Sequence, residues 1–286
     1  MTGFLAQMLN GIQYGLLLFL ISSGLTLIFG VMGVINLAHG SLFMIGAYLA
    51  YVLTEAALPL WAALLASVLA GSLFGAVLER LLFRHFRKRE HLDQVLLTFA
   101  LILLFEEARA ALIDNQFHSV PVPALLDFSV RVVGDFAYSA YRLVVLAVCL
   151  LVAALMVLFI ERTKIGSSIR AAAESPEMVD LLGLNAAWIH TLVFAAGTAL
   201  AMLAGALAAP LQSVYPGMGD GFLILSFVVV VIGGLGSVSG AFWAALLVGL
   251  IDTLGKAYVP QLAGIAVCGM MAMVLLWRPS GLFART

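Results

Sequence analysis

Charge is what this chain has least of. Only 10% of its 286 residues are Asp, Glu, Lys or Arg, where a soluble globular domain carries about 25%. That is too little to clothe a water-facing surface, so an ordinary soluble domain is excluded. Cysteine is nearly missing. Cys149 and Cys268 each lie inside an apolar run, where a thiol serves as a small hydrophobe, and a disulfide framework is excluded. The net charge of −1 leaves no basic surface for nucleic acid. No charged stretch precedes the first apolar run, which argues against a cleaved leader and for insertion directed by the first helix.

Catalytic signatures are absent too. None of the lysines is followed by Ser or Thr, so there is no phosphate-cradling G-x-x-x-x-G-K-[ST] loop. There is no H-E-x-x-H, no C-x-x-C and no G-x-S-x-G elbow. His39 has no His, Cys or carboxylate at helical spacing, so no metal site is expected. The expectation is a protein without catalysis, metal or cofactor of its own.

What is there is apolar: 64% of the residues are hydrophobic and the mean hydropathy is +1.14. The runs are apolar on every face, unlike the alternating strands of a membrane barrel, so the class is an all-α, multi-pass integral membrane protein. Apolar segments fall near 5–31, 41–54, 58–83, 94–113, 141–160, 189–211, 222–235, 240–254 and 260–277. A crossing takes about 20 apolar residues, so 222–235 and 240–254 read as steep short helices or a re-entrant pair. The expected organisation is one transmembrane domain over 1–286, with eight or nine crossings.

Ten of the fourteen basic residues lie in three places: Arg80, Arg84, Arg87, Lys88 and Arg89; Arg162, Lys164 and Arg170; and Arg278 and Arg285. The positive-inside rule puts all three in the cytoplasm. Residues 114–140 then form an external cap, Met1 lies outside, and the breaks at "GVINLAHG" and "GGLGSVSG" face inward or dip part-way into the membrane. The two breaks resemble each other, each an apolar run, a glycine-rich interruption and a helix rich in small residues. This is the pattern of internal repeats whose broken helices meet at mid-membrane.

A broken helix frees backbone groups that hydrocarbon cannot satisfy, so such breaks persist only inside protein or beside water. Asn36 and His39 carry donors and acceptors suited to those groups, and Gly33 and Gly40 allow unusual angles and close approach. Two roles stay open for them: capping the break, or lining a path or gate where a zwitterion finds donors. On the second role the candidate path residues are Asn36, His39, Gly40 and Ser41, faced by Gly234, Gly236 and Ser237.

In the loop 161–188, Ser167 and Ser168 read as caps of a helix through "IRAAAE". Ser175 and Pro176 read as the start of a second helix, and Gly183 as its stop. The expected product is a helix–turn–helix under the membrane, with small alanines on one part and Met178, Leu181 and Leu182 on another. It either packs back on its own helices or docks a soluble motor. Among membrane-depth charges, Asp252 and Lys256 stand four apart, as an ion pair on a helix does. Glu106, Glu107 and Arg109 end the fourth segment. These groups suit interfacial ends, contact with a docking protein, or an ion relay.

The stretches "GLTLIFGVMGVINLAHGSLFMIGAY", "IRAAAESPEMVDLLGLN" and "GGLGSVSGAFWAALLVGL", in this order, resemble the permeases of bacterial branched-chain amino acid ABC transporters, and the shorter of the two permease types. The likeness covers nearly the whole chain. It implies a subunit of an inner-membrane importer that moves branched-chain or other hydrophobic amino acids. It also implies the partners: a second homologous permease, two cytoplasmic ATPases that bind the ATP, and a periplasmic binding protein that delivers substrate. It assigns ATPase docking to Arg170, Ala171, Ala172, Ala173, Glu174, Leu181, Leu182 and Gly183, with Glu174-Ser175-Pro176 departing from the family's more variable polar residues. Relatives that carry urea or short amides keep that cargo as an alternative, and a stand-alone secondary transporter or channel is the other.

Overall fold

The computed structural model describes residues 2–87, 89–133, 136–175, 179, 181 and 183–283. Its helices are α1 (Thr2–Met32), α2 (His39–Glu55), α3 (Leu60–Leu78), α4 (His91–Leu112), α5 (Ala140–Arg162), α6 (Lys164–Glu174), α7 (Ala186–Ala208), α8 (Met218–Gly233), α9 (Val238–Tyr258) and α10 (Ala263–Trp277). Each of the nine apolar segments read from the sequence is one of these helices. Six helical stretches, containing α1, α3, α5, α7, α9 and α10, are long and apolar enough to cross a membrane. The segment at 240–254 is therefore not short: α9 has 21 residues, because polar Asp252 and Lys256 ride inside it as an i,i+4 pair. α8, at 16 residues, stays short.

α1 is the central post. Of its most apolar stretch 83% is buried, against 11% for α10. At 31 residues it is about 46 Å long, enough to overshoot the hydrocarbon at both ends. Lipid offers no hydrophobic drive between helices, so close backbone approach across small residues must hold them. α1 meets α9 at Gly11, Gly15 and Gly249, and meets α7 where Gly24 faces Gly197. α2 crosses α7 at Gly46 and Gly205. A Cβ at Gly205 would collide with the Phe43 carbonyl oxygen, and one at Gly46 with the backbone of Met202.

α3 runs on without a break through a π-turn, Glu79–Phe83, and one further turn, Arg84–Phe86. Here Glu79 is fully buried. Its carboxylate accepts from Arg87 Nη2 at 3.0 Å and from Thr191 Oγ1 at 2.6 Å, tying α3 to the first turns of α7.

Between α4 and α5 the all-α body carries one small hairpin. Ser129–Val133 (β1) and Phe136–Ser139 (β2) pair antiparallel, with Ser129 opposite Ser139 and Val130 opposite Tyr138. The signal is legible in "SVRVVGDFAYS": β-branched residues, a Gly-Asp pair, then aromatic ones. Nearby, His118 and Val214 exchange two backbone hydrogen bonds of 2.9 and 2.8 Å. Arg109 lies 3.4 Å from Glu106 Oε2, and Glu106 Oε1 accepts the N–H of Gly217 at 3.2 Å. The charges at the end of α4 thus pin the chain that leads into α8.

The three basic stretches share the opposite end of the bundle. The end of α3 joins the start of α7 through Glu79 and Thr191. α6 lies beside residues 235–239. The tail beyond Arg278 returns to α8, with Leu282 N–H donating to Ile232 O at 2.8 Å. The hairpin lies at the other end, where Tyr138 meets Asn10 near the start of α1.

Candidate translocation path and docking face

The first break is a packed seam. Gly33, at φ +66°, ends α1, and residues 33–38 run back along it. Asn36 is buried, and its Oδ1 accepts the N–H of Ala38 at 3.1 Å, which turns the chain into α2. His39 is completely buried, and its Nε2 lies 3.0 Å from the carbonyl oxygen of Ile21 in the middle of α1. A carbonyl can only accept, so Nε2 carries the proton. α2 therefore starts at the depth of the middle of α1. Gly40 presses on Gly219 at the start of α8, and Ser41 is buried beside it.

The second break does face a cavity. Gly234 (φ +97°) and Gly236 (φ +80°) shape the turn, and Ser237 Oγ caps α9 by accepting the N–H of Gly240 at 3.1 Å. Gly236 and Ser237 line an inner cavity of about 420 Å³ with Gly30, Ile160, Arg170, Ala173 and Glu174. Gly234 instead packs on Gly281 of the returning tail. The structure thus brings together the second break and α6, the first part of the segment where docking is expected. Neither joins Asn36, His39, Gly40 or Ser41, none of which lines a described cavity.

α6 is held from its start. Thr163, rather than Ser167 or Ser168, is the cap: its Oγ1 accepts the Gly166 N–H at 2.9 Å. Both serines instead donate back to Lys164 O, because the helix begins a turn earlier, directly after α5. Gly166, Ile169 and Ala172 are buried, Ala171 is half-buried, and Ala173 and Glu174 are exposed at the cavity wall. Arg170 Nη1 donates to Ile160 O. Pro176, Met178 and Leu182 lie outside the described residues. Leu181 is 82% exposed. Gly183 stands at φ +79°, and the Leu184 N–H reaches Val179 O at 3.1 Å, the closure of a Schellman stop. Asn185 then caps α7 through the N–H of Trp188 at 3.1 Å.

Sequence reasoning missed a second cavity, of about 460 Å³, at the other end of α1. Gln7, Asn10, Gln13 and Tyr14 of α1 line it with Arg142 of α5 and Asp252 and Lys256 of α9. Arg142 Nη1 donates to Asn10 Oδ1 at 2.9 Å and to Gln13 Oε1 at 3.3 Å. Lys256 Nζ lies 2.6 Å from Asp252 Oδ2. Tyr138 of the hairpin donates to Asn10 at 2.9 Å. Burial raises the Tyr138 phenol above its usual pKa, and the Arg142 charge opposes that. The available signal was the polar i,i+3 spacing Gln7, Asn10, Gln13 inside an apolar helix. Below this cavity Tyr14, Phe222 and Phe43 close the way, the last two stacked at 4.2 Å between centroids. Both cavities are bounded by α1 between α5 and α9, while Leu18 to Leu20, Ile21 and Leu25 are buried between them.

A helical membrane bundle with cavities at both ends of one central helix and a packed middle has the form of a permease. Residues 7–276 match the family described as branched-chain amino acid transport system / permease component. The chain belongs to that family. It is 32% identical, over 99% of its length and 96% of the relative's, to the high-affinity branched-chain amino acid transport system permease protein BraD of Pseudomonas aeruginosa. It is 29% identical to LivH of Escherichia coli over the same shares. It is 28% identical to LivM of E. coli, over 92% of this chain and 67% of that protein. No solved structure matches. The permease is accordingly a multi-pass protein of the inner membrane.

Proposed function

We propose that the chain is a non-catalytic permease subunit of an ATP-driven importer of branched-chain or other hydrophobic amino acids. It works beside a second homologous permease, two cytoplasmic ATPases that bind the ATP, and a periplasmic binding protein that delivers the solute. The existence of both BraD/LivH-like and LivM-like relatives supports a pair of unlike permeases. Support for the motor comes from one observation above the others: α6, within the docking segment, forms part of the wall of the inner cavity, through Arg170, Ala173 and Glu174. A push on α6 therefore bears directly on the second break and on the inner half of α1.

In this mechanism solute enters from outside at the polar cavity, above the aromatic floor of Tyr14, Phe222 and Phe43. Nucleotide-driven movement of the ATPases shifts α6 and the exposed Leu181. α1 and α9 re-pack along their glycine seam, the outer cavity closes and the inner one opens. The chain supplies the path, and its partners supply the free energy. Co-purification and reconstitution test this. The chain is expected to purify with a second permease and P-loop ATPases, and the complex with its binding protein is expected to accumulate L-leucine in liposomes only when ATP is supplied. Accumulation by the chain alone, or uptake of urea with no uptake of L-leucine, would overturn the reading.

A further inference from the structure

The outer cavity carries more charge than its own packing neutralises. We infer that it is a subsite for a free α-amino acid, where the Arg142 guanidinium receives the carboxylate and the Asp252 carboxylate receives the ammonium. The inference rests on the reading above that this chain passes amino acids.

Its volume, about 460 Å³, lies in the range of small-molecule sites, roughly 300–1,000 Å³. A cation within a membrane bundle is costly and normally paired. Arg142 Nη1 bonds to the neutral amides of Asn10 and Gln13, the guanidinium also hydrogen-bonds the neutral Tyr138 phenol, and among the described residues no carboxylate pairs with it. Its planar fork suits a two-point contact with a carboxylate. Tyr138 donates to the same Asn10 oxygen, so the amide that holds the guanidinium is itself held by the external hairpin.

On the other side Asp252 is 5% exposed, whereas the side chain of its partner Lys256 is 61% exposed. An exposed ammonium gains little from such a pair, so Lys256 can swing into water and yield the buried carboxylate to a ligand ammonium. Gln212 Nε2, in the same lining, is buried without a hydrogen-bond partner among the described residues. Leu17, Tyr14 and Phe222 give an apolar wall for the ligand side chain. A neutral amide would leave Arg142 uncompensated, so this chemistry selects amino acids over urea and amides.

The test uses the assembled complex in nanodiscs without binding protein, carrying Thr253→Cys in the cavity lining and Cys268→Ser to remove the exposed native thiol. L-leucine is expected to slow labelling of Cys at 253 by a charged maleimide. L-leucinamide, which lacks the carboxylate, and 4-methylpentanoate, which lacks the ammonium, should each need at least about tenfold more for equal protection, the size of a lost charge-assisted hydrogen bond. Arg142→Gln and Asp252→Asn should raise the half-protecting L-leucine concentration about tenfold or more, and the two analogues probe the same contacts without any change to the two residues. Equal protection by L-leucinamide, or unchanged protection after Arg142→Gln, in a complex that still takes up L-leucine with ATP, overturns the subsite and leaves the importer reading standing. A complex that takes up no amino acid overturns the reading itself.

Discussion

At the scale of the residue, the buried carboxylate of Glu79 sets an unequal pair. Glu79 has no exposed side-chain surface, while the Arg87 side chain is 25% exposed. Removing the arginine leaves a buried charge with only Thr191 to satisfy it. Removing the carboxylate leaves an arginine that can turn to water. Arg87→Ala is therefore expected to lower the melting temperature of the detergent-solubilised complex more than Glu79→Gln does, since breaking a buried pair from the exposed side strands the buried member. The reverse order would mean that Glu79 is solvated. Gly205→Ala is a second case. Its Cβ would meet the Phe43 carbonyl oxygen, and overpacking of that kind costs roughly 1–3 kcal/mol. Thermal unfolding should show the loss, and uptake per folded complex should change little.

Elements carry the coupling. Because Thr163 starts α6 directly after α5, a Thr163→Val change removes one cap, on the order of 1 kcal/mol, and should weaken ATPase binding by fraying the helix. Leu181→Asp should leave the permease folded, since that side chain is 82% exposed, yet lower the ATPase recovered with it at least about tenfold. Undiminished recovery would remove Leu181 from the docking face. In α2, His39→Gln keeps a donor for the Ile21 carbonyl and His39→Leu does not. Transport per intact complex should survive the first and fall in the second. Much of this was legible in sequence: every apolar segment, the glycine-rich breaks, and Gly183 as a stop were visible as composition and spacing. The cap was mislocated because Ser167 and Ser168 are as plausible as Thr163 until the end of α5 is known. The hairpin was overlooked because its short strands are small beside the hydrophobic runs.

For the whole molecule, what sequence could not reveal is which polar groups meet. Gln7, Asn10 and Gln13 on α1 are about 130 residues from Arg142 and further from Asp252, and only the folded bundle joins them in one cavity. The same holds for the inner end, where residues 26–31, 157–174 and 235–239 converge. Two cavities against one buried helix, closed from each other by packed side chains, are the anatomy of alternating access. Of these two cavities, α6 forms part of the wall of the inner one alone.

The most direct measurement of this account is reciprocal thiol accessibility in the assembled complex, with Cys268 replaced by serine. One variant carries Thr253→Cys in the outer cavity and another Ser239→Cys in the inner cavity. Nucleotide that cycles the ATPases is expected to shift the two labelling rates in opposite directions, and Leu181→Asp is expected to abolish both shifts. Labelling rates that rise and fall together, or that ignore nucleotide in a complex still able to accumulate L-leucine, would contradict it.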